Sequence, residues 1–208
     1  MMRLIVSATR PEPDRIAAAV ELLHAGGVVA YPTDTLYALA VDPRRPEAVR
    51  KLVALKGRRA TAAFPLIAAS IEQAEAAGTF GPPELRLART FWPGPLSIVV
   101  PARAPLAAEA LAGGQTVAVR VPDHALARAL AAAAGFCITS TSANLSGSPP
   151  ARSPGEVEAS LGAELDGLLD AGAAPGGAPS TIVELRAEGP ALIRPGAVPW
   201  ERVLRSLQ

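Results

Sequence analysis

The sequence predicts an α/β protein with one domain: a twisted sheet of mixed strand direction with helices packed around it. Three observations lead there. Short apolar runs of strand length alternate with segments of helical apolar spacing along the whole chain. Half of the 208 residues are hydrophobic, enough for a sizeable core, and the length suits one large domain over residues 1–208. The chain also carries 21 prolines and 18 glycines, too many for the long helices of a regular doubly wound fold.

Taken in order, residues 4–7 read as a first strand and residues 13–25 as a helix. That helix has Ile16, Val20 and Leu23 on one face and stops at Gly26 and Gly27. Residues 28–31 read as a buried strand running into Thr33, Asp34 and Thr35. Residues 46–55 form a second helix with Val49, Leu52 and Val53 inward, followed by a basic loop holding Lys56, Arg58 and Arg59. A strand resumes at 64–68, with short helices at 71–77 and 83–91. The turn Trp92-Pro93-Gly94-Pro95 feeds a strand at 96–100. Residues 116–121 alternate as a strand with Arg120 at its end, and 123–134 form an Ala-rich helix. The apolar run Phe136, Cys137, Ile138 fits a buried strand opening into the polar stretch 139–146. Beyond the Pro-rich loop near 148–154 come a helix at 154–161, a Gly/Pro-rich loop near 172–179, strands at 181–185 and 191–194, and a closing helix at 199–207.

Composition narrows the function classes. The formal net charge is +1, so no global field favours nucleic acid or an anionic membrane. A single cysteine excludes an internal disulfide or a cysteine metal cluster and suits a cytoplasmic location. No apolar run reaches membrane-spanning length, and the first residues are too short an apolar stretch for a secretion signal. Lys51 and Lys56 are the only lysines among 20 basic residues, so a lysine at either place suggests a need for that geometry over arginine's.

Several chemistries drop out. The chain has no P-loop, no dinucleotide-binding glycine motif, no zinc-protease helix motif and no nucleophile elbow. His24 ends a helix, where an imidazole suits the carbonyl end of the dipole, and His124 starts one at the surface. Cys137 in an apolar strand reads as a packed small hydrophobe. What remains is a set of hydroxyl and cationic groups at segment ends: Thr33, Lys56, Arg58, Arg120, the 139–146 stretch, Ser180, Thr181 and Arg194. Such a set positions and neutralises phosphates without a titrating base, which is what nucleotide chemistry at the α-phosphate requires. Lys56 supplies a point charge and Arg58 a planar fork for phosphate oxygens. Periodicity cannot show whether these ends meet.

The motifs Tyr31-Pro32-Thr33-Asp34-Thr35-Leu36-Tyr37, Lys56-Gly57-Arg58, Phe91-Trp92-Pro93-Gly94-Pro95-Leu96 and Val119-Arg120-Val121-Pro122 follow one another in the chain. Ser140-Thr141-Ser142-Ala143-Asn144-Leu145-Ser146-Gly147, Pro179-Ser180-Thr181-Ile182-Val183 and Ile193-Arg194-Pro195-Gly196 complete the series. In this order the chain resembles the YrdC family of threonylcarbamoyl-AMP synthases over nearly its whole length. The resemblance implies a YrdC-like fold with a concave basic cavity. It also implies nucleotidyl transfer, in which ATP, L-threonine and bicarbonate yield threonylcarbamoyl-AMP and pyrophosphate for the modification of a tRNA adenosine. The family's Lys-x-Arg and Ser-x-Asn signature falls on Lys56, Arg58, Ser142 and Asn144. By the same resemblance Ser140 and Arg194 join these four around the nucleotide. Thr33, Tyr37, Arg120, Ser180 and Thr181 would line the threonine site. Mg²⁺ is expected to arrive with ATP, with no protein metal site. A tRNA-modifying transferase complex is the expected partner, direct tRNA contact is possible, and no membrane is involved.

Three positions depart from the family pattern. Ala38 follows Tyr37 where the family has glycine, Arg59 follows Arg58 where it has proline, and the loop to Pro65 is longer, with Phe64 in a polar place. These departures leave a YciO-like paralogue with another nucleotide-dependent activity as the alternative. A non-catalytic RNA-binding module is the other, disfavoured by the near-neutral charge and the 4% aromatic content.

Overall fold

The structure is a computed structural model and describes residues 1–57, 63–103 and 105–208. Its strands are mixed in direction, as expected, but they divide between two sheets. The first sheet joins β1 (Met2–Ile5), β9 (Gly167–Asp170), β2 (Val29–Pro32), β3 (Tyr37–Ala40) and β8 (Thr141–Ser142) in that order. The second joins β11 (Gly189–Arg194), β10 (Thr181–Arg186), β5 (Leu96–Pro101), β6 (Thr116–Arg120), β4 (Leu66–Ile67) and β7 (Ile138–Thr139).

Strand β2 shows why the first sheet is a central layer. Val29 and Tyr31 face a core with α1 (Pro13–His24) and α5 (Ala125–Ala134); Val28 and Ala30 face another with α2 (Pro46–Leu55) and α6 (Pro154–Leu161). A strand covered on both faces must be apolar at every position, as this one is. The second sheet packs against α3 (Ile71–Ala77), α4 (Pro82–Phe91) and α7 (Trp200–Leu207) through Leu87, Phe91, Leu96, Ile98 and Val203.

Local chemistry sets the helix ends. Proline occupies the first turn of α1, α2, α4 and α6, where its missing N–H costs no helical bond. Ser70 and Ser153 accept from the backbone N–H of Gln73 and Glu156 at the starts of α3 and α6. Gly135, left-handed at φ 77°, ends α5.

Three strands escaped the sequence reading, the two-residue β8 among them. Tyr37-Ala38-Leu39-Ala40 turns back on β2 as the antiparallel β3, and Gly167–Asp170 enters between β1 and β2 as β9. The segment read as a strand at 136–138 forms β7 only at Ile138–Thr139. From there the chain passes through Ser140 into β8, leaving the second sheet for the first. That crossing positions the site. Among the described residues, no helix is long and apolar enough to cross a membrane.

Candidate functional site

Where the two sheets meet, a cleft of about 400 Å³ opens among strand ends. Thr33 and Tyr37 reach it from the β2–β3 turn, Lys56 from the end of α2, and Arg120 from the end of β6. Ser140, Ser142 and Asn144 reach it from the crossing, and Ser180 and Arg194 from the β10–β11 hairpin. These residues lie far apart in sequence, and the topology gathers them on one wall-to-wall surface.

The groups are held in a dense network. Lys56 is 6% exposed, and its Nζ donates to Ser142 O and Asn144 O at 2.8 Å and to Asn144 Oδ1 at 2.9 Å. Ser142 Oγ donates to the same Oδ1 at 2.5 Å, while Asn144 Nδ2 donates to Leu145 O and Ser148 O. An ammonium has three N–H groups. These three bonds tie the cation to the 142–144 turn and help shape it.

Thr33 is likewise committed. Its Oγ1 donates to Leu36 O and accepts from the N–H groups of Thr35 and Leu36, so the β2–β3 turn winds around this hydroxyl. Tyr37 is fully buried and donates its hydroxyl to Gly172 O at 2.7 Å; burial pushes its pKa up to about 12. Thr181 does not line the cleft. Its hydroxyl donates to Val198 O and accepts from Val198 N–H in the core, stapling β10 to the segment before α7.

On the opposite wall, Ser97 and Ser180 share a 3.0 Å hydroxyl contact, and Arg194 Nη2 donates to both the Oγ and the carbonyl of Ser180. Burial, with the nearby Arg120 charge second, lowers the Arg194 pKa. Arg120, 5% exposed, is paired with Asp34 through Nη1 at 2.6 and 2.9 Å. Ser146 Oγ, also at the cleft, is buried without a hydrogen-bond partner among the described residues. Sequence reasoning passed over Ser97, gave Asp34 no role, and took Ser146 only as part of the 139–146 stretch. A lone serine opening the apolar run Ser97-Ile98-Val99-Val100 was the one available signal for Ser97. Arg58 and Arg59 lie outside the described residues.

The Gly/Pro-rich loop at 172–179 carries the chain from the first sheet to the second. It is tied by Gly176 N–H to Thr35 O and by Ala174 N–H to Arg152 O. Cys137 is buried, donates to Gln73 O, and burial pushes its pKa up to about 12. It stands as a packed thiol outside the cleft lining. Among the described residues no group of three His, Cys, Asp or Glu side chains is arranged to hold a metal.

Fold and site together define a mixed α/β protein with a cleft, lined by cations and hydroxyls, at the junction of two sheets. A family model for Sua5, YciO and YrdC proteins, described as telomere recombination, matches residues 21–196. The chain belongs to the Sua5/YciO/YrdC family. It is 36% identical over 191 residues to a threonylcarbamoyl-AMP synthase of Bacillus subtilis (strain 168), covering 91% of this chain and 55% of that protein. Another of that name, from Chromohalobacter salexigens, is 42% identical over 176 residues, with 83% and 94% covered. The crystal structure of Pyrococcus abyssi Sua5 complexed with L-threonine superposes with a TM-score of 0.92 at 33% identity, covering 99% of this chain and 61% of that one. The chain thus spans a little over half the length of the Bacillus and Pyrococcus proteins.

Proposed function

We propose that this protein is a threonylcarbamoyl-AMP synthase, forming threonylcarbamoyl-AMP and pyrophosphate from ATP, L-threonine and bicarbonate. The carrying observation is the convergence of Lys56, Arg120, Ser140, Ser142, Asn144, Ser180 and Arg194 on one cleft of about 400 Å³. The names of the relatives at 36 and 42% identity, and the threonine complex of the Pyrococcus protein, add to it.

The chemistry follows from these groups. Threonine's amine and bicarbonate give a carbamate with loss of water; a carbamate oxygen then attacks the α-phosphate as pyrophosphate leaves. No side chain need form a covalent bond, so rate comes from alignment and from charge placed where the phosphates gain it. Lys56 contributes its charge from beneath the 142–144 turn, and Arg58 a second cation by the family signature. Ser140, Ser142, Asn144 and Arg194 surround the nucleotide. Thr33 and Tyr37 shape the threonine side of the cleft, and Ser180 lines it. Arg120 receives the carboxylate. Mg²⁺ enters as the ATP complex. The chain 1–208 acts as one domain in the cytoplasm, handing its product to a transferase that modifies a tRNA adenosine.

The test is to incubate purified protein with ATP, Mg²⁺, L-threonine and bicarbonate, omitting each in turn, and to detect pyrophosphate and threonylcarbamoyl-AMP by mass spectrometry. Product that needs all three substrates is the expected result. ATP binding with no product would instead support a YciO-like paralogue with another substrate.

A further inference from the structure

We propose that Asp34 is a positioning residue for the amino-acid substrate, holding Arg120 by one nitrogen so that its remaining edge meets the substrate carboxylate. The inference rests on the threonine reading above and assigns a residue that the reading leaves without a role.

The geometry of the pair carries it. Both carboxylate oxygens of Asp34 accept from the same nitrogen, Arg120 Nη1, at 2.6 and 2.9 Å. A guanidinium has five N–H groups, and its Nε–Nη2 edge forms a fork matched to a carboxylate. Among the described residues nothing accepts from Arg120 Nε or Nη2, and Arg120 lines the cleft. Asp34 therefore occupies one end of the guanidinium and leaves the side-on edge for a second carboxylate.

The anchor is itself rigid. The turn carrying Asp34 is wound on the Thr33 hydroxyl, and its far side is fixed by the Gly176 N–H bond to Thr35 O. The side chains of Asp34 and Arg120 are 12% and 6% exposed. A cation this buried needs a partner before substrate arrives, or its desolvation would be uncompensated. Asp34 meets that need, offsets the repulsion between Arg120 and the neighbouring Arg194, and removes the rotamer search that a free arginine would undergo on binding.

The test uses the full chain and the synthase assay, measuring kcat and separate KM values for threonine and ATP. The variants are Asp34→Asn, Asp34→Glu, Arg120→Ala and the double variant Asp34→Asn/Arg120→Ala. Asp34→Asn should raise the threonine KM roughly tenfold, the scale of one charge-assisted hydrogen bond, with the ATP KM and kcat unchanged. Asp34→Glu should recover part of the loss, and Asp34→Asn should add nothing in the Arg120→Ala background. Three results overturn the proposal: both KM values rising together, a threonine KM unchanged or lowered, or a loss that persists without Arg120. Wild-type protein that makes no product overturns the reaction itself, and this assignment with it, before any variant is compared.

Discussion

Lys56 Nζ holds Asn144 twice, donating to its backbone carbonyl at 2.8 Å and to its side-chain Oδ1 at 2.9 Å. A third bond to Ser142 O makes the ammonium the hub of the 142–144 turn. Lysine and the Ser-x-Asn segment are thus one mechanical unit, although 86 positions separate Lys56 from Ser142. Removing the ammonium leaves the Asn144 carbonyl without a donor among the described residues, while Ser142 O keeps the Asn144 N–H and Asn144 Oδ1 keeps the Ser142 hydroxyl.

Lys56→Ala should therefore reduce the unfolding free energy by roughly 2–4 kcal/mol, as expected when a buried charged donor is deleted. It should also abolish product. Lys56→Arg should not restore either property, because a planar fork cannot aim three N–H groups from one atom at converging acceptors. Urea denaturation with the mass-spectrometric assay checks both. Native-like stability in Lys56→Ala would mean that the turn does not depend on this cation.

The elements of the chain were more legible than their arrangement. Helices α2, α3 and α6 declared themselves through Pro46, Ser70 and Ser153 at their starts and apolar spacing behind. Strand β3 did not: Tyr37, Ala38, Leu39 and Ala40 are all buried, so the run has neither alternation nor turn residues inside it. The two-residue strands β4, β7 and β8 are shorter than any period can register. Yet β7 and β8 carry the crossing that brings the sheets together.

Site residues were recognised as polar groups at segment ends, and most meet at the cleft. What sequence could not convey was how each hydroxyl is spent. Thr33 and Thr181 look alike in the chain, but one organises a turn beside the cleft and the other staples the core to Val198. Asp34 sat unassigned between two threonines because its partner, Arg120, is 86 residues away.

His124 makes stability depend on pH. It caps α5 by accepting from Ala127 N–H through Nδ1, a bond that requires an unprotonated nitrogen. Burial chiefly lowers its pKa from the ordinary 6.5; Asp34 and Asp123 oppose this, and Arg128 and Arg120 add to it. A depressed histidine pKa means that the unfolded chain binds the proton more readily. Its contribution is complete above about pH 6.5 and is lost as pH falls toward the folded-state value. Wild type should lose stability from pH 7.5 to 5.5 more steeply than His124→Asn, which keeps a capping acceptor without a titrating ring. Urea midpoints at the two pH values provide the comparison. Equal slopes would remove His124 as the cause.

Cys137 should resist alkylation in the native state. Its thiol is 4% exposed and its pKa is pushed up to about 12 by burial, so thiolate is scarce at pH 8. Iodoacetamide should label it only after urea unfolding. The sign of the linkage is the reverse of that for His124. A raised thiol pKa gives stability that is present below about pH 9 and lost as pH climbs toward 12. Cys137→Ala should accordingly show a flatter alkaline limb. Rapid labelling of folded protein would show that the segment entering β7 opens locally.

Gly196 is the place where one added carbon reaches the cleft from outside it. A Cβ there would overlap the backbone of Pro179, Ser180 and Thr181, one continuous stretch of main chain that cannot rotate aside. Its neighbour Ala197 donates to Pro179 O, so the overlap falls on a segment already hydrogen-bonded in place. Gly196→Ala must displace the start of β10, and with it the Ser180 oxygens that hold Arg194. The expected cost is about 1–3 kcal/mol of stability, the range for overpacking against fixed atoms. Because Ser180 also meets Ser97 across the cleft wall, ATP affinity should fall further in Gly196→Ala than in Gly113→Ala. Gly113 has open space around its Cβ position but a φ of +77°, so Gly113→Ala carries backbone strain without touching the site. Calorimetric titration of ATP into both variants separates the two effects. Equal ATP affinities in the two would show that the wall tolerates the shift at β10, and a weaker affinity confined to Gly196→Ala would tie the Ser97–Ser180–Arg194 contacts to nucleotide binding.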